Sequence, residues 1–397
     1  MVEFTLNGVP VKAPEGATLL GWLRGEARLT GAKNACGEGT CGACSVLVDG
    51  AVFSACVVAI ERVAGKAVVT VEGIAEAEMQ AYTRAFAEAG AVQCGYCTPG
   101  MVMSTKALLD RNPSPDEKAI RQAIRRNLCR CTGYARIVEG VKRAADYRAG
   151  RTPPAIVPPL GSSAAALPGV PHPASSVGGS LLRVDAGKKA RGQAVYVDDL
   201  VVPGMLYGAV LRAAHPRARL LALDVTAARA LEGVMAVATW EDIPGERFIG
   251  HIVDDWPTLI AVGEVTRYVG DAIALVAAAS AAIARSALAL IRADYEVLEP
   301  IRNPEAALAA GAPSIGSKGN ILSSLILHRG DADSALSRAA YRIDRSYSTG
   351  FTDHAFLEPE SALAFPPDGT GLVLVRTGEQ NVYDGRRYIA STLGLEE

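Results

Sequence analysis

The sequence is most informative in what it withholds. No apolar run approaches the ~20 residues needed to cross a bilayer. Charge of neither sign dominates: 40 Lys and Arg stand against 42 Asp and Glu. That balance gives no electrostatic case for nucleic acid or for an anionic membrane surface. The start, Met1-Val2-Glu3-Phe4-Thr5-Leu6, alternates like a strand and lacks a basic stretch before an apolar one, so no secretory signal is expected and the cytoplasm is the default location. Histidine is scarce, at 172, 215, 251, 328 and 354, and these five form no metal-binding spacing. No Gly-x-Gly-x-x-Gly fingerprint follows a strand, so a nucleotide fold within this chain is not expected. Cysteine is absent from all of the chain after residue 131.

What is present is therefore concentrated. The eight cysteines fall at 36, 41, 44, 56, 94, 97, 129 and 131, in the first third of 397 residues. In a reducing compartment such clustering points to metal rather than disulfides. The length allows two to four domains.

Residues 1–73 read as a small hairpin-rich fold. Asn7-Gly8 joins strands Val2–Leu6 and Val9–Ala13, and Asp49-Gly50 joins strands 45–48 and 51–53. A short helix over 18–24 and a last strand over 67–71 complete it. Residues 74–150 read as four helices: 74–89, 98–110, one opened by Ser114-Pro115-Asp116-Glu117 as a capping box and running to 128, and 135–147. Thr98-Pro99 reads as N-cap and first helical residue. Residues 151–180, with seven prolines, read as a linker. From about 181 an α/β region follows. Strands are expected over 205–213, 220–225, 234–239, 271–277 and 292–298, and helices over 226–231 and 281–291. Residues 330–397 add a polar helix, a strand over 372–375 and a helix from Gly385, after which no capping structure follows.

The first cysteine set is Cys36-Gly-Glu-Gly-Thr-Cys41-Gly-Ala-Cys44 with Cys56, the C-x4-C-x2-C…C spacing of plant-type [2Fe–2S] ferredoxins. Gly37, Gly39 and Gly42 let the loop turn tightly and bring N–H groups to the sulfurs, which helps set a potential. A zinc site or free thiols are the plainer readings, but structural zinc usually takes two close pairs. The second set is Cys94-Gly-Tyr-Cys97 before one helix and Cys129-Arg-Cys131 between two others. It too can enclose one metal centre, and its spacing alone also allows zinc. Cys97, one residue before the expected N-cap, would gain from the positive end of the helix dipole.

Four strings resemble the molybdenum hydroxylases, the family of xanthine dehydrogenase and aldehyde oxidoreductase. They are Cys36 to Cys44, Gln93-Cys94-Gly-Tyr-Cys97-Thr-Pro-Gly100, Asn127-Leu-Cys129-Arg-Cys131-Thr-Gly133-Tyr134, and Tyr268-Val-Gly270-Asp271-Ala-Ile-Ala-Leu-Val276. The resemblance implies an α+β multidomain chain. Its parts would be a plant-type ferredoxin-like β-grasp (1–73), a four-helix [2Fe–2S] bundle (74–150), the Pro-rich linker (151–180), a mixed α/β hammerhead-like domain (181–325) and the start of a molybdopterin-binding domain (326–397). It also implies two [2Fe–2S] clusters, with Cys94, Cys97, Cys129 and Cys131 nearest the molybdopterin and Cys36, Cys41, Cys44 and Cys56 passing electrons outward. Gln93 and Cys131 would lie against the pterin.

The reaction implied is hydroxylation of a small-molecule substrate at an electron-poor carbon, of a xanthine-like purine type, with an aldehyde or another heterocycle as the alternative. Water supplies the oxygen and the electrons leave singly through the clusters. A stand-alone two-cluster carrier and a zinc-stapled interaction protein are the competing readings. The family's glycine-rich loop and later catalytic glutamate do not occur in these residues. Either a second molybdenum-binding subunit shares the molybdopterin, which is the expectation, or the gene product is truncated; FAD is expected on a separate subunit. Gly350 to Glu360 resembles the stretch that passes the metal, with Thr352 where many members have glutamine. That residue, and the string from Gly250 to Pro257, lean towards the selenium-dependent xanthine dehydrogenase branch. His354 and Glu358 are the candidates near the molybdenum, although Glu358 reads better as a loop-orienting residue than as a base.

Overall fold

A computed structural model describes residues 1–153 and 182–397. The proline-rich stretch expected as a linker lies almost wholly outside the described residues, as does His172. The chain divides into two compact units, residues 1–200 with 349–378, and residues 201–348 with 379–397.

In the first unit, β1 (Val2–Leu6) and β2 (Val9–Ala13) form the expected hairpin, with Asn7 at φ 50° and Gly8 at φ 84°. Helix α1 (Leu19–Gly25) is capped by the Thr18 hydroxyl. Strands β3 (Ser45–Val48), β4 (Ala51–Ser54) and β5 (Ala67–Val69) complete a five-stranded sheet in the order β2-β1-β5-β3-β4, with β1 and β5 parallel. One face of α1 (Leu19, Leu20, Leu23) closes a core with Phe4, Val46, Ile60 and Val68. Phe4 and Trp22 meet edge to face at 5.3 Å.

Four helices follow: α2 (Glu76–Glu88), α3 (Thr98–Arg111), α4 (Glu117–Ile124) and α5 (Ala135–Arg148). They bury Tyr82, Phe86, Met101, Met103, Ile120 and Ile137. Two expected caps move. Asp116, not Ser114, caps α4, because its carboxylate takes the Ala119 N–H at 2.7 Å. Cys97, not Thr98, is the N-cap of α3: its carbonyl accepts from Met101, and the buried Thr98 hydroxyl has no partner among the described residues.

The second globular region begins later than expected. Residues 182–200 belong to the first unit, where α6 (Ala186–Ala190) packs on α2 and α3. The antiparallel pair Ala362–Ala364 and Val375–Thr377 also lies there. The strand expected over 372–375 thus forms slightly later.

The second unit holds a three-stranded antiparallel sheet, with Ala272–Ala278 between Tyr207–Arg212 and Val234–Ala238. Ala218–Asp224 pairs separately with Arg292–Val297. Helix Ala281–Leu288, capped by Ser280, packs Ala284 and Ala287 against Val237, Ala274 and Val276. Asp271 is buried and accepts from the Arg267 and Tyr268 amides and the Trp256 indole, which explains its place in the Tyr268–Val276 string. The last helix, Val382–Leu393, starts before Gly385 and does have a cap: Gly394 at φ 65°. Glycine suits that left-handed position. No described helix is long and apolar enough to cross a membrane.

Candidate functional site

The first cysteine loop turns through Gly37, Gly39 and Gly42, all at positive φ (69°, 81° and 67°) as expected. Gly42 has a second constraint, since a Cβ there would lie 2.4 Å from the Arg126 carbonyl. Cys56 arrives in the turn Ala55–Val57 after β4, and the Gly39 amide donates to its sulfur at 3.2 Å. Cys36 interacts with Cys41, and Cys44 with Cys56.

The second set is assembled from Cys94 and Cys97 at the start of α3 and Cys129 and Cys131 between α4 and α5. The sulfurs of Cys94 and Cys131 are 3.6 Å apart, and Cys97 and Cys129 form the other pair. Each set thus gathers four thiols, the number that a [2Fe–2S] rhomb takes, two on each iron. Among the described residues no group of three or more His, Cys, Asp or Glu is arranged to hold a single metal ion.

The thiols are electrostatically uneven. Burial pushes Cys36 up, but the Thr40 hydroxyl and the amides of 38 and 41 outweigh it and bring it down to about 6. Burial pushes Cys44 up to about 12 and Cys94 up to about 11. Cys97 is also held by a neighbouring thiol. Its hydrogen bond to Cys129, together with burial, raises it well above the ordinary thiol. Cys129 is the low member at about 5, because it accepts from Cys97 and, against the effect of its burial, from Thr132 and the amides of 131 and 132.

The two loops touch. Asn127, buried, donates from Nδ2 to the Gly42 carbonyl (3.0 Å) and to Ser45 Oγ (3.3 Å), while its Oδ1 accepts from Ser104 (2.6 Å). The Leu128 amide donates to the Cys41 carbonyl at 2.8 Å. Gly100 completes the fit, because a Cβ there would lie 2.2 Å from the Gly42 oxygen.

Residues 182–200 wall the second set. Tyr196 donates to the Cys94 carbonyl (2.8 Å), and Lys189 donates to the Gln93 carbonyl (3.1 Å) and lies over Gly95. Behind them Lys33 and Asp199, 1% and 2% exposed, pair at 2.7 Å, with Arg24 also on Asp199. Lys33 sits 4.7 Å from the Tyr196 ring centre.

The side chain of Gln93 is exposed and Cys131 is half-exposed, so both are open to a bound group. The ring of His354 is exposed, and its carbonyl is the atom in use: Arg130, between Cys129 and Cys131, donates to the carbonyls of His354 and Asp353, each at 2.7 Å. Glu358 is half-buried. Burial raises its carboxyl above the usual range against the pull of Lys189 and Arg183. Its charge also reaches Cys94 and Tyr196, and Thr352 is exposed. The other described histidines lie elsewhere; His251 pairs with Asp384 at 3.1 Å and His215 meets Tyr295 edge to face. Sequence reasoning missed Asn127, Arg130 and Tyr134 as structural agents although they stand within the motif strings, and it missed Lys33, Tyr196 and Asp199 altogether.

Four family profiles match in order. They are described as "2Fe-2S iron-sulfur cluster binding domain" (4–68), "[2Fe-2S] binding domain" (70–142), "Aldehyde oxidase and xanthine dehydrogenase, a/b hammerhead domain" (191–299) and "Molybdopterin cofactor-binding domain" (316–397). The chain is 31% identical to the aldehyde oxidoreductase of Megalodesulfovibrio gigas over 99% of its own length and 44% of that protein's, so it spans less than half of that relative. It is 36% identical to a probable xanthine dehydrogenase subunit of Bacillus subtilis, over 55% of this chain and 29% of that one. With the nicotinate dehydrogenase small FeS subunit of Eubacterium barkeri it shares 45% identity over 36% of this chain and 94% of that subunit. The solved structure of the aldehyde oxidoreductase from Desulfovibrio gigas superposes with a TM-score of 0.82 at 30% identity, covering 100% of this chain and 45% of that one. With two [2Fe–2S]-binding domains joined to a hammerhead domain and a molybdopterin-binding part, this chain belongs to the molybdenum hydroxylase family.

Proposed function

We propose that the chain is the electron-transfer arm, and one wall of the active site, of a cytoplasmic molybdenum hydroxylase acting on an N-heterocycle of xanthine type. Segments 1–73 and 74–150 carry one cluster each, and 326–397 begins the molybdopterin-binding part. The observation that carries this reading is the contact of the two cysteine loops through Asn127 and Leu128.

In this reading Cys36, Cys41, Cys44 and Cys56 hold the outer cluster, and Cys94, Cys97, Cys129 and Cys131 hold the inner one. Arg130 ties the inner loop to residues 353–354, within the stretch that resembles the molybdenum-side wall, which supports that order. Gln93 and the half-exposed Cys131 would hold the pterin edge, and Lys189 fixes the Gln93 backbone. The amide of Gly39 donates to Cys56 and so favours the added negative charge of a reduced outer cluster. The molybdenum cofactor, when bound, supplies the hydroxylation chemistry. Glu358 orients its loop beside Lys189 and Cys94.

The heterocycle reading leans on the higher identity to the xanthine dehydrogenase subunit, 36% against 31% for the aldehyde oxidoreductase. The 99% coverage by the latter keeps an aldehyde as the second reading.

A second molybdenum-binding subunit completes the pocket, and an FAD subunit accepts the electrons. Side chains at 325, 326, 327, 341, 343 and 347, all large and apolar and 73–92% exposed, support a covering partner. Metal analysis of the protein purified with its partners tests this, with about four irons per chain expected from two [2Fe–2S] clusters, and molybdenum only when a partner copurifies. Two zincs and no iron would overturn it. Single-turnover reduction tests the order of the clusters: Cys44→Ser leaves reduction of the molybdenum by substrate intact, whereas Cys131→Ser stops turnover with every acceptor. Parallel assays with xanthine and with an aromatic aldehyde separate the two substrate readings.

A further inference from the structure

Tyr134 opens α5 in a conformation that side chains avoid, φ 70° and ψ −27°. A residue with a Cβ is disfavoured there, and asparagine or glycine is the usual occupant. The preceding Gly133 also has positive φ (63°), so two successive residues at the entry to the helix take it. The ring packs on the core of the helical bundle. Its hydroxyl accepts from the Cys129 amide at 3.0 Å and donates to the Asn127 carbonyl at 3.2 Å. One hydroxyl thus fills both of its hydrogen-bonding roles on the two residues that flank Leu128.

This contact occupies the Cys129 amide. The Thr132 hydroxyl lies 3.1 Å from the Cys129 sulfur. The amide of Cys129 itself is turned aside to Tyr134. Hydrogen bonds to cluster sulfurs set potentials, so the count of amides at this sulfur matters.

We propose that Tyr134 is a positioning residue for the second cluster, its hydroxyl holding the Asn127–Cys131 loop so that the Cys129 amide is withheld from sulfur. The helix needs only some residue at position 134, and the strained backbone is kept because it brings this hydroxyl back under the loop.

The proposal rests on the reading of 94–131 as a [2Fe–2S] site, and iron analysis of the wild type checks that reading separately. The test is Tyr134→Phe in the whole iron-loaded protein, followed by EPR-monitored reductive titration, with the first cluster as internal reference. The ratio of reduced second to reduced first cluster at a fixed potential changes by about fivefold, the size expected for one redistributed hydrogen bond. The EPR signature of the second cluster changes while that of the first does not. Selective loss of the second cluster would also support the role. Unchanged ratio and signature would overturn it. A measurement on the wild type keeps the proposal testable if the variant fails to fold: the Cys129 amide exchanges slowly with deuterium, and free exchange at that amide would overturn the assignment.

Discussion

The side-chain amide of Asn127 donates to the carbonyl of Gly42 at 3.0 Å, joining a residue two places before one cysteine ligand candidate to a residue inside the other loop. Every polar atom of that amide is used, on Gly42, Ser45 and Ser104. Asn127→Ala therefore leaves the buried Ser104 hydroxyl without its partner, at about 1–3 kcal/mol for the group left unsatisfied, while the Gly42 carbonyl and the Ser45 hydroxyl each lose one bond but keep each other. Thermal unfolding of the loaded protein is expected to move down by several degrees, with both clusters bleaching in one transition. Separate bleaching at two temperatures would contradict the coupling. Gly42→Ala is the harsher change, combining positive φ with a Cβ 2.4 Å from the Arg126 carbonyl.

Lys33 and Asp199 are a buried ion pair 166 residues apart in sequence. Removing one partner of such a pair costs about 3–5 kcal/mol, because the other charge stays buried and unpaired. Asp199→Leu is thus expected to destabilise the first unit strongly. The double change with Lys33→Met should recover much of the loss. Denaturant midpoints of the four proteins in that cycle check it, and strictly additive losses would refute it.

Arg130 spans two successive carbonyls, which suits a planar fork and not a point charge. Arg130→Lys is expected to raise deuterium uptake across 353–356 while leaving total iron unchanged. Uptake identical to wild type would mean that the clamp does not hold this stretch.

Leu325, Leu327 and Tyr341 are 84–92% exposed. Apolar side chains presented so fully mark contact surface. Serine at all three is expected to lower recovery of the proposed molybdenum-binding partner in copurification while leaving the iron content of this chain unaltered. Equal recovery would place the partner elsewhere.

Much of this could be read in one dimension. Asn7-Gly8 and Asp49-Gly50 specify tight hairpins through local backbone geometry, and cysteine spacing is local too. What escaped was non-local or competitive. Nothing in the neighbourhood of Lys33 announces Asp199. At the start of α4, Ser114 and Asp116 both offer caps, and the carboxylate wins the Ala119 amide. At Cys97 the hydrogen bond to Cys129, from a loop more than thirty residues on, raises the thiol together with burial. Asn127 and Tyr134 were visible as letters of a motif, but their hydrogen bonds run to residues that only the folded chain brings near.

The ion pair under Tyr196 also says where the molecule can be severed. The covalent break most natural from the sequence lies in the proline-rich stretch, after the last helix of the bundle. The physical seam lies later, because residues 182–200 bring Asp199 to Lys33 and Tyr196 to Cys94. A protein cut near residue 150 would lose the countercharge of Lys33 and the ring that covers it together, so the segment 182–200 belongs with the cysteine-bearing part it packs on.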